Sequence, residues 1–299
     1  MKRIARLLPP ALVALSILLA ACGGGAGDSS GPIAHPSGDD LVLRVDYRGG
    51  MLANGFVTSF PTFSLHGDGR VIVPGAQIDI FPGPALPAVN VRRLTGDGIQ
   101  AVLDLVASTG LFHADAVFRG AQNFVADGTE TVFTLHADGQ EVQLVVYALG
   151  ILDPAGSYPG ISADELAAHR VLSQLLERLG TLDAWVPTSG WADAGWGSYQ
   201  PDALRLIIRN ADADPPDDNG IGNALLDWPD DSDPATFGDV IANTEERCGV
   251  VSGDGAEAWY RALSGANQLT RFVKGEHRYQ VTVRFQLPDE PMECPSPDA

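Results

Sequence analysis

A seven-residue phrase occurs twice in this chain, and it limits the fold more than any other feature. Phe63-Ser64-Leu65-His66-Gly67-Asp68-Gly69 returns as Phe133-Thr134-Leu135-His136-Ala137-Asp138-Gly139, identical at five of seven positions. Each copy alternates apolar and polar residues, the period of a strand, and closes on Asp-Gly, a pair that tolerates the positive φ angles of a tight hairpin turn. Val71 and Val73 continue beyond the first turn, and residues 143–149 beyond the second. Two antiparallel hairpins are therefore expected, one over 60–73 and one over 133–149.

The rest of the chain adds strands and helices in turn. Residues 41–47, 89–94 and 204–209 read as strands. A Pro-rich crossing with Pro74, Pro82, Pro84 and Pro87 follows the first hairpin. A last hairpin is expected over 269–285, turning at Lys274-Gly275, with Tyr279, Val281, Val283 and Phe285 alternating with polar residues. Three helices are predicted. Ile99, Val102, Leu103 and Val106 recur at helical spacing behind a Thr95 or Asp97 cap, and Gly110 lies beyond. Ser162-Ala163-Asp164-Glu165 is a capping box opening an apolar stripe of Ala168, Val171, Leu172, Leu175, Leu176 and Leu179 that stops at Gly180. Asp254 and Glu257 open a third, with Ala256, Trp259, Tyr260 and Leu263 on one face and Gly265 at its end. The expected class is α+β, antiparallel sheets each packed by a helix. Strands precede a helix and a hairpin follows it in each half, so two pseudo-repeated lobes, 40–180 and 181–299, joined by the 162–180 helix, are a further expectation.

Residues 1–21 have the make-up of a secretory leader: Lys2, Arg3 and Arg6, an apolar run from 7 to 19, then Ala20 and Ala21. The apolar run is short of the roughly 20 residues of a bilayer crossing. Leu19-Ala20-Ala21-Cys22 resembles the lipobox of bacterial lipoproteins. That resemblance implies diacylglyceryl transfer to the Cys22 thiol, cleavage before Cys22, and acyl chains of the palmitate kind on the mature protein. Residues 22–39 are Gly- and Ser-rich and read as a flexible tether. The globular part is expected over 40–299. Beyond the lipobox, the Gly-rich tether, the preference for Arg over Lys, and a Cys pair late in the chain around a Tyr-x-Val-x-Val-x-Phe strand resemble secreted lipoproteins of bacteria with GC-rich genomes. This resemblance brings no activity with it.

Charge narrows the partners. Once the leader's three basic residues are removed, 16 basic residues face 38 acidic ones, a formal charge of −22. Such a surface repels nucleic acid and anionic headgroups. Cys248 and Cys294 remain after the lipidated cysteine, an even pair in an oxidising compartment, and suggest a disulfide contributing about 4 kcal/mol through loop entropy. Two free or metal-binding thiols are the alternative, although the spacing matches no zinc pattern.

Three groups of residues are candidates for a site. Asp212, Asp214, Asp217, Asp218 and Asn219 open an acidic loop that continues to Asp233 without a Lys or Arg. Dense oxygen ligands suit Ca²⁺, but Pro216 and Asp217 break the EF-hand spacing, and a solvated acidic loop is the plainer reading. Trp185, Trp191, Trp196 and Tyr199 lie in a Gly/Pro/Ser-rich segment where they could stack on a sugar or fill a partner's pocket, or fold back over a sheet. His66, His136 and His277 adjoin turns and read as exposed, while His169 reads as a satisfied structural histidine. No Gly-x-Ser-x-Gly elbow, Ser-x-x-Lys site, nucleotide fingerprint or His-x-x-x-His pair occurs. Together these features favour a lipid-anchored, extracytoplasmic protein of the bacterial envelope, without catalysis, binding another envelope protein or a glycan. The alternatives are an anchored hydrolase with paired carboxylates, whose pairing is defined only in space, and a Ca²⁺-dependent module.

Overall fold

The structure is a computed structural model that describes residues 31–49, 55–153, 155–214 and 224–295. From its start the described chain builds strand upon strand: β1 (Leu41–Gly49), a short helix α1 (Gly55–Thr58), β2 (Phe63–His66), β3 (Arg70–Pro74) and β4 (Val89–Arg93). Helix α2 (Gly96–Ser108) follows, then β5 (Ala116–Phe118), β6 (Thr129–Ala137) and β7 (Gln140–Tyr147). Helix α3 (Ala163–Leu179) leads to β8 (Gly197–Ser198), β9 (Ala203–Asn210), β10 (Leu225–Asp227), β11 (Asp239–Val240) and β12 (Arg247–Ser252). Helix α4 (Gly253–Ser264) and the strands β13 (Arg271–Lys274) and β14 (His277–Phe285) complete the fold. Strands and helices make two mixed sheets, an α+β architecture. The first sheet runs β5-β7-β6-β1-β2-β3-β4-β8 and the second β10-β13-β14-β9-β12-β11. Each is antiparallel except for one parallel edge pair, β5 with β7 and β10 with β13.

The repeated phrase is explained by β1, which lies between the two copies. Leu43 pairs with both Leu65 and Leu135, Val45 with both Phe63 and Phe133, and Arg44 with both Ser64 and Thr134. Because strand side chains alternate faces, this register gathers Leu43, Val45, Phe63, Leu65, Phe133 and Leu135 on one side, where they form the first core with α2 and α3. The two copies are thus the arms of one sheet. Their turns differ where the sequences differ. Asp138 and Gly139 both take positive φ, 50° and 71°, the two-residue turn that matches strand twist. Gly67 in the other copy has backbone against it, since a Cβ there would lie 2.4 Å from the Pro36 carbonyl oxygen. The segment 32–36 passes over that turn, which is why alanine suits one copy and not the other.

Helix ends follow local chemistry. The Thr95 hydroxyl caps α2 by accepting the Gly98 N–H, and Gly110 takes φ +69° just past its end. Ser162 caps α3 by accepting the Glu165 N–H at 3.1 Å. The reciprocal half of the box is diverted, because the Glu165 carboxylate accepts the Gly120 N–H at 2.7 Å instead. Helix α4 starts directly from β12: Gly253 turns the chain at φ +56°, and Ser252 sits at the N-cap with no side-chain capping bond.

Strand β9 is the spine of the second sheet, buried from Ala203 to Ile208. Leu204, Leu206 and Ile208 join Ala256, Trp259 and Leu263 of α4 in a second core, which also takes Ile72 and Val89 from the first sheet. The chain passes from the first sheet to the second between β8 and β9, and one compact unit begins at Pro32. On its other face β9 carries Ile207, which meets Val57 of α1 and the Cys248–Cys294 pair. That disulfide is present, with its Cα atoms 6.0 Å apart. Among the described residues no helix is long and apolar enough to cross a membrane.

Candidate binding surface

The tryptophan segment folds back on its own chain. Trp185 donates its indole N–H to the Arg178 carbonyl at 2.9 Å and stacks under that arginine's guanidinium at 4.7 Å. Arg92 lies 3.8 Å over the buried Trp191 ring, which meets Trp196 edge-on at 5.9 Å. Trp196 donates to Asp183 at 2.7 Å. These three rings belong to the first core, whereas the buried Tyr199 sits in the second and donates its hydroxyl to the Gln286 carbonyl at 3.0 Å. Desolvation raises the Tyr199 phenol far above its usual range. The polar atoms of Trp185, Trp196 and Tyr199 that could orient a sugar are committed to the protein itself.

Of the five residues that open the acidic loop, Asp212 and Asp214 are described, and both are engaged. Asp212 accepts from the His277 ring at 2.7 Å, from the Arg278 N–H at 2.8 Å and from Asn210 at 3.1 Å. Asp214 takes a two-pronged contact from Arg209 at 2.7 and 2.9 Å and a third from Arg271 at 3.1 Å. Both therefore serve as clamps for β9, β13 and β14. Asp217, Asp218 and Asn219 lie outside the described residues, as does Cys22. Among the described residues no group of three His, Cys, Asp or Glu side chains could hold a metal ion.

Two histidine expectations need correction. His66 is not an exposed turn residue: it is fully buried, because the 32–40 segment and the C-terminal stretch cover the face of β2 that it occupies. Its Nδ1 lies 3.0 Å from the Asp39 carbonyl oxygen and 3.7 Å from Asp289, while Nε2 has no partner. His169 is buried on α3 with neither ring nitrogen bonded, so it is packed rather than satisfied, and desolvation lowers its pKa. Ser64, two residues before His66 on β2, accepts from Arg44 at 3.4 Å, the arginine that pairs with Asp289, and the three side chains form no relay. Ser64 and His66 are fully buried, and an unpartnered Nε2 is not holding a hydroxyl for attack.

The polar face of the first sheet instead receives the C-terminal stretch. Arg44 pairs with Asp289 at 2.6 Å, and Arg284 holds Glu290 through two contacts of 2.5 and 2.6 Å. Arg284 Nε also donates to the Ser59 carbonyl, and Arg205 donates to that of Val57, so both arginines seize the turn around α1. Desolvation, with Arg284 alongside, lowers Arg205 to about 10. This cluster joins the sheets through pairs that are largely buried.

One surface of the molecule is different in kind. The Pro-rich crossing between β3 and β4 displays Ile78, Ile80 and Phe81 at 66, 57 and 64 % exposure. Its base is clamped. The Gly75 N–H donates to the Ala88 carbonyl at 2.8 Å, and Gly83 and Gln268 exchange bonds, the Gly83 N–H to the Gln268 side chain at 3.1 Å and the Gln268 N–H to the Gly83 carbonyl at 2.9 Å. The Ala85 N–H reaches the Ala266 carbonyl, Pro84 bridges to Asn267, and the Phe81–Pro82 peptide is cis. A cleft of about 560 Å³ lies between the tip and Gln268. Burying such side chains is worth about 1.5–3 kcal/mol each, so three in four residues held outward on a fixed base make this loop the candidate surface. In the sequence this stretch reads as a connection because Pro74, Pro82, Pro84 and Pro87 punctuate it. The available signal was Ile78-Asp79-Ile80-Phe81, an apolar alternation with no partner strand.

A second groove, about 530 Å³, runs beside α4. Asp202 and Glu257 line it with Gln200, Tyr260 and Arg261, and Gln200 donates to the Tyr260 hydroxyl at 3.1 Å. No histidine or lysine lines it. Comparison with protein families, with curated proteins and with solved structures finds no match to this chain.

Proposed function

We propose that this chain is an extracytoplasmic lipoprotein of the bacterial envelope, anchored through Cys22, that works as a non-catalytic binding module. The clamped apolar loop of residues 75–88 carries the reading, because it is a surface built to be covered by something else. The leader, the lipobox resemblance and the Cys248–Cys294 disulfide support an oxidising compartment. The test is photo-crosslinking in cells from position 81, with the natural chain and a Cys22→Ala variant side by side. An adduct on the anchored chain that disappears in the variant is the expected result. A chain that yields no adduct of any kind from position 81 overturns the assignment.

The α4 groove supports a second reading. It places two carboxylates, Asp202 and Glu257, in one open cleft, the minimum for acid/base hydrolysis of a glycoside. Turnover of a chromogenic glycoside panel that is lost in both Asp202→Asn and Glu257→Gln would establish it. Equal rates in all three proteins would dismiss it.

A further inference from the structure

We propose that the 75–88 loop is a lipid wedge: Ile78, Ile80 and Phe81 enter the interface of the bilayer to which Cys22 anchors the chain. This deepens the binding assignment above and rests on it. Four observations favour lipid over a protein pocket.

The tip protrudes, and its large side chains are apolar with no Trp, Tyr or Arg among them. Protein interfaces carry about one hydrogen bond per 100–200 Å² and lean on those three residues. An acyl layer asks for no such hydrogen bonds. Half of the backbone at the tip, 80, 82 and 83, presents no bare donor. Pro82 has no N–H, that of Ile80 donates to the Ile78 carbonyl at 3.0 Å, and that of Gly83 is held by Gln268. Fewer bare donors lower the cost of entering an apolar medium. Asp79 is the one charged residue between 75 and 88, and there is no Lys or Arg. Anionic lipid therefore offers no attraction, and the acidic chain is repelled by it. A zwitterionic surface is the one this loop can approach. Finally, the nine peptide units from Cys22 to Gly31 reach at most about 30 Å. A tether that short keeps the folded unit at high local concentration against the bilayer, so a three-residue insertion need not be strong.

The experiment uses the full-length acylated chain in phosphatidylcholine vesicles, with a photoreactive amino acid at position 80 or, as control, at position 151. Ile151 is as exposed as Ile78, at 66 %. Phospholipid adducts at 80 should exceed those at 151 several-fold, and I78S with F81S in the same chain should remove most of the excess. Equal yields at the two positions overturn the wedge. So does a protein adduct from position 80 in cells unaccompanied by lipid adducts in vesicles. Intact mass separates the two readings. An acylated Cys22 with no lipid adduct at 80 defeats the wedge alone, and a chain without acyl groups defeats the anchor and the wedge together.

Discussion

Asp230 is the residue whose loss should damage the second core most for its size. One carboxylate oxygen accepts the Trp228 indole N–H at 2.9 Å, and the other accepts that of Trp259 at 2.7 Å. The Ser232 N–H and hydroxyl bond to the same carboxylate, and Lys274 donates to the Asp230 carbonyl at 2.8 Å. Trp259 is fully buried, with Trp228 edge-on at 4.7 Å and Phe272 at 5.0 Å, so neither indole can turn towards water without breaking the packing. Asp230→Ala strands the buried Trp259 donor and leaves the Trp228 indole only its 3.1 Å contact with the Ser232 hydroxyl, a loss of about 2–4 kcal/mol together since the rings are coupled. For a chain of this size that lowers the thermal midpoint by roughly 4–12 °C. Asp230→Asn keeps one acceptor oxygen but turns an amide donor on the other indole, so it should fall between Ala and the natural residue. Urea unfolding followed by tryptophan fluorescence reads the series. The hydrogen bonds from Ser232, Trp259 and Trp228 outweigh desolvation and hold the carboxyl below its usual range. Its stabilisation is therefore complete above the unfolded-state pKa and is lost as pH falls through the lower folded value. A loss under 1 kcal/mol in Asp230→Ala, or a midpoint that does not fall more steeply in acid for the natural chain than for the variant, would refute the reasoning.

Three further outcomes are expected. Reducing Cys248–Cys294, or replacing both with Ser, removes a link across 46 residues and should cost about 4 kcal/mol in the urea midpoint, with the C-terminal stretch becoming the first site of proteolysis. His277 is raised by its hydrogen bond and charge contact with Asp212, so its stabilising contribution is whole below its ordinary 6.5 and disappears as pH rises through the higher folded value. Asp212 is lowered to about 2 from 3.8, chiefly by His277, and its contribution vanishes as pH falls towards 2; NMR titration of the His277 ring, which should revert to an ordinary midpoint in Asp212→Asn, checks both. Gln100 exchanges two hydrogen bonds of 2.9 Å with the Ile33 backbone, so Gln100→Ala should cost about 1–2 kcal/mol and speed amide exchange over 32–36, while unchanged exchange there would show that Asp138 alone holds the segment.

Much of the framework was legible before any coordinates. Hairpins at both Asp-Gly turns, the Thr95 and Ser162 caps, the stripes of α2, α3 and α4, and the late Cys pair are all local chemistry or simple parity. The strands missed are of one kind. Residues 247–252 carry no strand expectation in the sequence, yet they form β12, because Gly249 lies under the Phe237 ring and β9 supplies the ladder. Such a strand is made by its neighbour and carries little signal of its own. The exposed apolar loop was missed for the complementary reason. Exposure of Ile78, Ile80 and Phe81 is a statement about what fails to pack on them, and composition does not contain it.

The sequence by itself determined the turns, the helix boundaries and which residues alternate, since these depend on φ preferences, capping groups and periods within a few residues. The tertiary structure alone decided that both copies of the phrase would flank the same β1, that His66 would be sealed beneath distant segments, that Trp185 and Trp196 would spend their polar atoms on their own chain, and that an apolar loop would stay uncovered. Each of these is a contact, or a missing contact, between residues far apart in the chain, and only the assembled sheets settle which groups are desolvated together.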